Sequence, residues 1–211
     1  MTIYLILITV AVSFLAFNSE KFFNKSLFHP YTIKRQNQFY RYLSSGFIHA
    51  DYLHLIFNMI VLYSFGRSVE MLYTRYYGEG MGTLLFLALY IGGIIISSIP
   101  SHLKHQDNPN FSSVGASGGV SAILFAVIFF KPIDNFYLFG IFGIPALVFG
   151  IAFLLISIRL SRLSRGNINH DAHIAGSIYG FFFTFFLNPK LILIFFQQIG
   201  NGIQQLLSQI S

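Results

Sequence analysis

The chain has 211 residues, of which 55% are hydrophobic and only 9% charged. A soluble domain carries about 25% charged residues, so this composition excludes a water-covered globule and points to an integral membrane protein. The formal charge of +6 fits basic loops beside anionic lipid better than a nucleic-acid surface. The absence of cysteine excludes disulfides, thiolate metal sites and cysteine catalysis.

In chain order, six apolar stretches approach the ~20 residues that a helix needs to cross the hydrocarbon core. They lie near residues 2–17, 50–72, 82–100, 115–131, 142–160 and 172–188. The first lacks a basic start and a small-residue cleavage site, and is expected to be a span rather than a leader. With no tryptophan, the interfacial aromatics must come from the 12 tyrosines and 26 phenylalanines. Residues 1–190 read as one domain. Residues 191–211 begin Leu-Ile-Leu-Ile-Phe-Phe and turn Gln-rich around Gly200 and Gly202, which suits a short interfacial helix better than a seventh span.

Six spans would put both termini on one side and the starts of the second, fourth and sixth helices on one face. Loops on that face carry Lys21, Lys25, Lys34, Arg35, Arg41, Lys104, Arg159, Arg162 and Arg165. The opposite face carries Arg67, Arg75, Lys131 and Lys190. This bias of nine against four accounts for all 13 basic residues and, by the positive-inside rule, puts the even-helix starts in the cytoplasm.

The unusual polar residues gather at those three starts. The second span opens with His49, His54 and Asn58; the last two are four apart and share a helix face. The fourth opens Gly115-Ala-Ser117-Gly118-Gly, and the sixth opens His170-Asp-Ala-His173-Ile-Ala-Gly176 and continues to Gly180. Gly176 and Gly180 form a G-x-x-x-G face that admits a close helix. If the fourth helix packs there, Ser117 and His173 meet at one depth. A serine needs an adjacent base to act as a nucleophile, and histidine supplies one. The developing oxyanion needs preorganised donors, which the free amides at a helix start provide. Polar residues at such positions also serve as helix-to-helix glue.

Gly115-Ala-Ser117-Gly-Gly also matches the nucleophile elbow of soluble hydrolases, and Ser117, Asp134 and His173 follow that triad's order. The elbow needs a preceding strand, whereas residues 107–113 read as loop. Asp134 falls after the fourth span, about 25 Å away along a helix axis. Asp171, the nearest acid to His173, reads as a helix cap. A Ser–His dyad remains.

These residues resemble the rhomboid family of intramembrane serine proteases. The matching motifs are His54-x-x-x-Asn58, Gly115-Ala-Ser117-Gly118 and Ala172-His173-x-x-Gly176-x-x-x-Gly180, over roughly residues 2–188. The resemblance implies an all-α polytopic membrane protein, a six-transmembrane-helix rhomboid-like bundle. It implies Ser117 as nucleophile, His173 as base, and an oxyanion site formed by the Ser117 amide with His54 and Asn58. His49 would support them, and Arg41, in a Tyr40-Arg41 pair resembling the family's Trp-Arg, would anchor the first loop at the membrane interface. Glu70 stands where the family often has a glutamate. Family members often place an aromatic one turn after the nucleophile, stacked on the histidine; here that residue is Ser121, so the His173 ring must be positioned from elsewhere.

The implied substrates are single-span or other membrane proteins, cut at small residues near helix breakers, without a cofactor. The implied location is a bacterial inner membrane, with cytoplasmic termini and a site opening outward. That topology opposes the loop charges. It is preferred because residues 18–49 alone supply five of the nine charges and the charge rule is statistical. Two other readings stay open: an inactive relative serving as a binding or chaperone module, and a metal or ion site built on His49, His54, His170 and His173.

Overall fold

The structure is a computed structural model that describes residues 1–138, 142–163 and 169–210. Arg165, one of the nine basic loop residues, lies outside the described residues. Among the described residues, ten α-helices, a 3-10 turn at Ser45–Phe47 and one hairpin follow in order: α1 Thr2–Phe17, α2 Glu20–Ser26, α3 Pro30–Gln36, α4 Arg41–Ser44, α5 Tyr52–Tyr77, α6 Glu79–His105, α7 Ser117–Phe130, β1 Asn135–Leu138, β2 Phe142–Pro145, α8 Ala146–Leu163, α9 His170–Leu187 and α10 Leu191–Ile210. The two strands pair antiparallel, Phe136 opposite Ile144. The small helices α2–α4 fold the long first loop into a compact cover.

Helix α7 is the centre of the bundle. Every residue from Gly118 to Phe129 is buried, as expected of a helix that is apolar on all sides. It is enclosed by α5, α6 and α9. Its 14 residues reach only about 21 Å, whereas α5 and α6, with 26 and 27 residues, reach about 40 Å. Helix α7 is therefore about half the length of α5 and α6. By contrast, α8 buries only Ala146, Gly150 and Ser157 and lies at the edge.

Among the described residues, α5, α6 and α8 are long and apolar enough to cross a membrane. A fourth candidate is the pair His170–Leu187 and Leu191–Gln205, bent by 114° at its break. Helices α1 and α7 are apolar but shorter. The expected tail helix forms as α10, continuous through Gly200 and Gly202. Phe195 stacks on Phe129 at 5.8 Å, and Gln198 Nε2 donates to the Phe130 carbonyl at 3.1 Å.

The starts of α5, α7 and α9 share one end of the bundle, as the parity of the stretches required. Polar contacts hold that end. Asn169, not Asp171, caps α9: its side chain accepts from the Ala172 amide at 3.2 Å. It also accepts from Ser101 Oγ at 2.9 Å and donates to Ser113 Oγ at 3.2 Å. The Asp171 carboxylate points away to Lys104, 3.0 Å off, and to the Ser161 hydroxyl. The cap falls on Asn169 because only the residue before the first turn can reach the N2 and N3 amides. At the opposite end, Glu70 accepts from the Thr2 amide and hydroxyl at 2.9 and 2.7 Å, which ties the start of α1 to α5.

Candidate active site

Ser117 is the first residue of α7, is half-buried, and follows an approach with no side-chain cap. The first amides of α7 are therefore left without intrahelical partners. The approach is fixed by hydrogen bonds from two backbone amides. Gly115 N–H donates to the Ser45 carbonyl at 2.9 Å, and Ala116 N–H donates to His49 Nε2 at 3.3 Å. Gly115 has φ +118°, a conformation open to glycine and strained for other residues. A Cβ there would stand 2.6 Å from His54 Cε1 and 2.8 Å from its Nε2. The missing side chain is what lets the His54 ring lie against the backbone leading to Ser117.

His49 is fully buried and lies before α5 rather than on it. Its Nδ1 is 2.9 Å from Ser13 Oγ, which is 3.0 Å from the Phe47 carbonyl. A hydroxyl has one proton. With that proton on the Phe47 carbonyl, His49 Nδ1–H donates to Ser13 and Nε2 accepts from Ala116, so the network assigns the tautomer. His49 then meets His54 edge to face at 5.0 Å.

On α5, Asp51 caps the helix by accepting from the His54 amide at 2.8 Å. Asn58 lies one turn deeper than His54, is buried, and donates from Nδ2 to the His54 carbonyl at 2.9 Å. That bond uses one of its two N–H groups.

His173 reaches the site through glycine. A Cβ on Gly176 would collide with the Gly118 carbonyl, and one on Gly180 with the Ala122 carbonyl. Thus α9 and α7 touch backbone to backbone, and His173, one turn before Gly176, lies at the same end of the bundle as Ser117. Gly118 itself abuts Ser97 Oγ of α6. The His173 ring is stacked on Phe153 of α8, with centroids 5.6 Å apart and planes 26° apart. His170 meets it edge-on at 5.5 Å.

Among the described residues no hydrogen bond joins Ser117 to His173; unliganded sites often tighten only around substrate. Asp134 pairs with Lys131 at 3.2 Å beyond the far end of α7 and takes no part. A cavity beside Ser117 is lined by Ser45, Ser97, Ser98, Ser113 and Asn169, which gives water hydroxyl and amide partners. The described residues contain no cluster of three or more metal-binding side chains, and both ring nitrogens of His49 are already engaged.

Arg41 is buried inside the loop cover. Its Nη1 donates to the carbonyls of Asn24 and Leu27 at 3.0 and 2.7 Å, and its Nε to Gln38 at 2.7 Å. Backbone pairing of Phe28 with Ser113 and the Lys34–Asp107 bridge at 2.8 Å then fasten the cover to the segment that leads into Ser117.

Sequence reasoning missed Ser13, Asn169 and Phe153. Ser13 had a signal: Thr2, Thr9 and Ser13 are the polar members of the buried face of α1. Asn169 had the cap position. Phe153 had none, because α8 is rich in large apolar residues and nothing local marks the one that meets a histidine.

A half-buried serine at a helix start, with histidines from two other helices at the same end of an apolar bundle, defines a polytopic membrane protein with a polar site at that end. The Rhomboid domain family model matches residues 36–190, and the chain belongs to the rhomboid family. Similar proteins include RHOMBOID-like protein 12, mitochondrial, of Arabidopsis thaliana, 30% identical over 152 residues, covering 64% of this chain and 42% of that one. Rhomboid protease GluP of Bacillus subtilis is 31% identical over 147 residues, covering 70% and 26%. Rhomboid protease GlpG of Haemophilus influenzae is 26% identical over 166 residues, covering 77% of each. The chain thus spans less than half the length of the first two.

Proposed function

We propose that the chain is an intramembrane serine endopeptidase that hydrolyses peptide bonds within or beside transmembrane segments of other membrane proteins. The observation that supports this reading is the backbone contact of Gly176 on the Gly118 carbonyl, which brings the start of α9, and His173 with it, against the start of α7. Ser117 Oγ attacks the scissile carbonyl while His173 takes its proton. The oxyanion is held by the Ser117 amide with His54 and the free N–H of Asn58. His173 returns the proton to the leaving amine, and a water from the serine-lined cavity then splits the acyl-enzyme. The substrate helix must unwind locally, since an intact helix keeps its carbonyls in hydrogen bonds.

In the same proposal, residues 1–190 form the protease domain and α1, α5, α6, α7, α8 and α9 are its six membrane helices. Helix α10, in the tail 191–211, lies in the membrane plane, and the site opens to the extracytoplasmic side of a bacterial inner membrane. Single-cysteine labelling at Lys25 and Lys131 tests the orientation: Lys25Cys reacting only after lysis would reverse it. The function is tested with Ser117→Ala. Cleavage of a single-span substrate should vanish while the thermal transition in detergent is kept. Retained cleavage rules out Ser117 as nucleophile, and a folded wild type that binds but never cuts favours a binding module.

A further inference from the structure

We infer that Phe153 is the positioning residue for the His173 ring. This rests on the reading of His173 as the general base. Among the described residues neither ring nitrogen of His173 makes a hydrogen bond, so no polar contact fixes the ring plane. Torsion about the bond to a planar ring is broad, and a base misaligned by a fraction of an ångström loses most of its effect. Two rings touch it: His170 meets it edge-on at 5.5 Å, and Phe153 stacks on its face at 5.6 Å and 26°, so the face contact is the one that limits rotation of the ring plane.

Phe153 is itself held by rings rather than by deep burial of α8. It meets Phe125 of α7 at 6.2 Å and Phe149 at 6.4 Å. Phe149 meets Phe136 of β1 at 5.7 Å, and Phe136 meets Phe65 of α5 at 4.5 Å. A line of rings thus runs from α5 and the hairpin to the base. Since α8 buries only three residues, this line fixes where Phe153 stands. It follows that moving α8 off the bundle removes the support of the base along with the helix.

The test separates ring positioning from admission of a substrate helix by using a small reagent. A fluorophosphonate forms a bond from Ser117 Oγ to phosphorus and expels fluoride, and the serine proton passes to His173. Labelling rates are compared for wild type, Phe153→Tyr, Phe153→Leu and Phe149→Leu in detergent. Phe153→Leu keeps bulk but loses the flat face and should label about tenfold more slowly. Phe153→Tyr keeps the face and should stay within about twofold. Phe149→Leu does not touch His173 but removes one ring that holds Phe153, and should slow labelling by less than Phe153→Leu does. In cleavage assays Phe153→Leu should lower kcat and leave KM unchanged. Where leucine disturbs folding, Phe153→Met is measured for the same two outcomes. A folded Phe153→Leu or Phe153→Met that labels at the wild-type rate overturns the positioning role alone. A wild type that does not label at Ser117 overturns the dyad, and the positioning role with it.

Discussion

Ala116 N–H donates to His49 Nε2 at 3.3 Å, and so the residue before Ser117 is held by a ring that is pinned to the first helix. The other side of that ring rests on Ser13 Oγ at 2.9 Å. Helix α1 contributes no candidate reacting group, yet it sets where α7 begins. Ser13→Ala removes the acceptor of a buried imidazole N–H, a loss of about 1–3 kcal/mol. Both the melting temperature in detergent and the cleavage rate should fall. A variant unchanged in both would show that the His49 bridge does not hold the approach.

Gly176→Ala places a methyl group on the Gly118 carbonyl, so α9 must retreat from α7 at the level of Ser117. A displacement of about 1 Å there should cost on the order of 100-fold in cleavage rate. Gly180→Ala meets the Ala122 carbonyl one turn further from the site. It should destabilise the bundle comparably and cost less activity for each degree of melting temperature lost. Equal activity losses at equal stability would mean that close packing matters only for folding.

Arg41 fills three acceptor positions in the loop cover, each a hydrogen bond from a charged donor of about 1.5–3 kcal/mol. A lysine cannot reproduce the planar fork. Arg41→Lys should speed hydrogen exchange over residues 20–47, with α5 and α6 unaffected. Protection equal to wild type across that segment would contradict the anchoring role.

A histidine base works in its neutral form. The cleavage rate should therefore rise with pH through the folded pKa of the base and then level off, against an ordinary histidine value of about 6.5. The loop clamp does not interfere: the hydrogen bond from Lys34 holds the Asp107 carboxyl below its usual range. Its contribution is present above the ordinary carboxylate pKa and is lost only as pH falls through that lowered value. A rate that stays flat down to about pH 4 would argue against a histidine base.

Helix α10 presents Leu193, Phe196, Ile203 and Leu207 outward, while Gln197, Asn201, Gln204 and Ser208 lie on another side. The bend of 114° from α9 turns it across the bundle axis. The chain has no tryptophan, so single reporters are clean. In vesicles, Phe196→Trp should be quenched by brominated acyl chains and Gln204→Trp by aqueous iodide. The reverse pattern would remove α10 from the interface.

The sequence by itself determined the class and the end of the bundle where its unusual polar residues gather. Nine per cent charge cannot clothe a soluble protein, and the parity of apolar stretches put Ser117, His54 and His173 on one face. The G-x-x-x-G spacing was enough to say which side of α9 approaches α7, because a missing Cβ is legible in a sequence. The positions that only the tertiary structure decided are those whose partner is far away in the chain. Ser13 looks like any small residue of a span until His49 turns out to need an acceptor. Asn169 rather than Asp171 caps α9, because the cap depends on where the first turn starts. The ring that steadies His173 is Phe153, from another helix. Nothing local distinguishes it from its apolar neighbours, since stacking depends on how two helices cross and not on the order of residues in either.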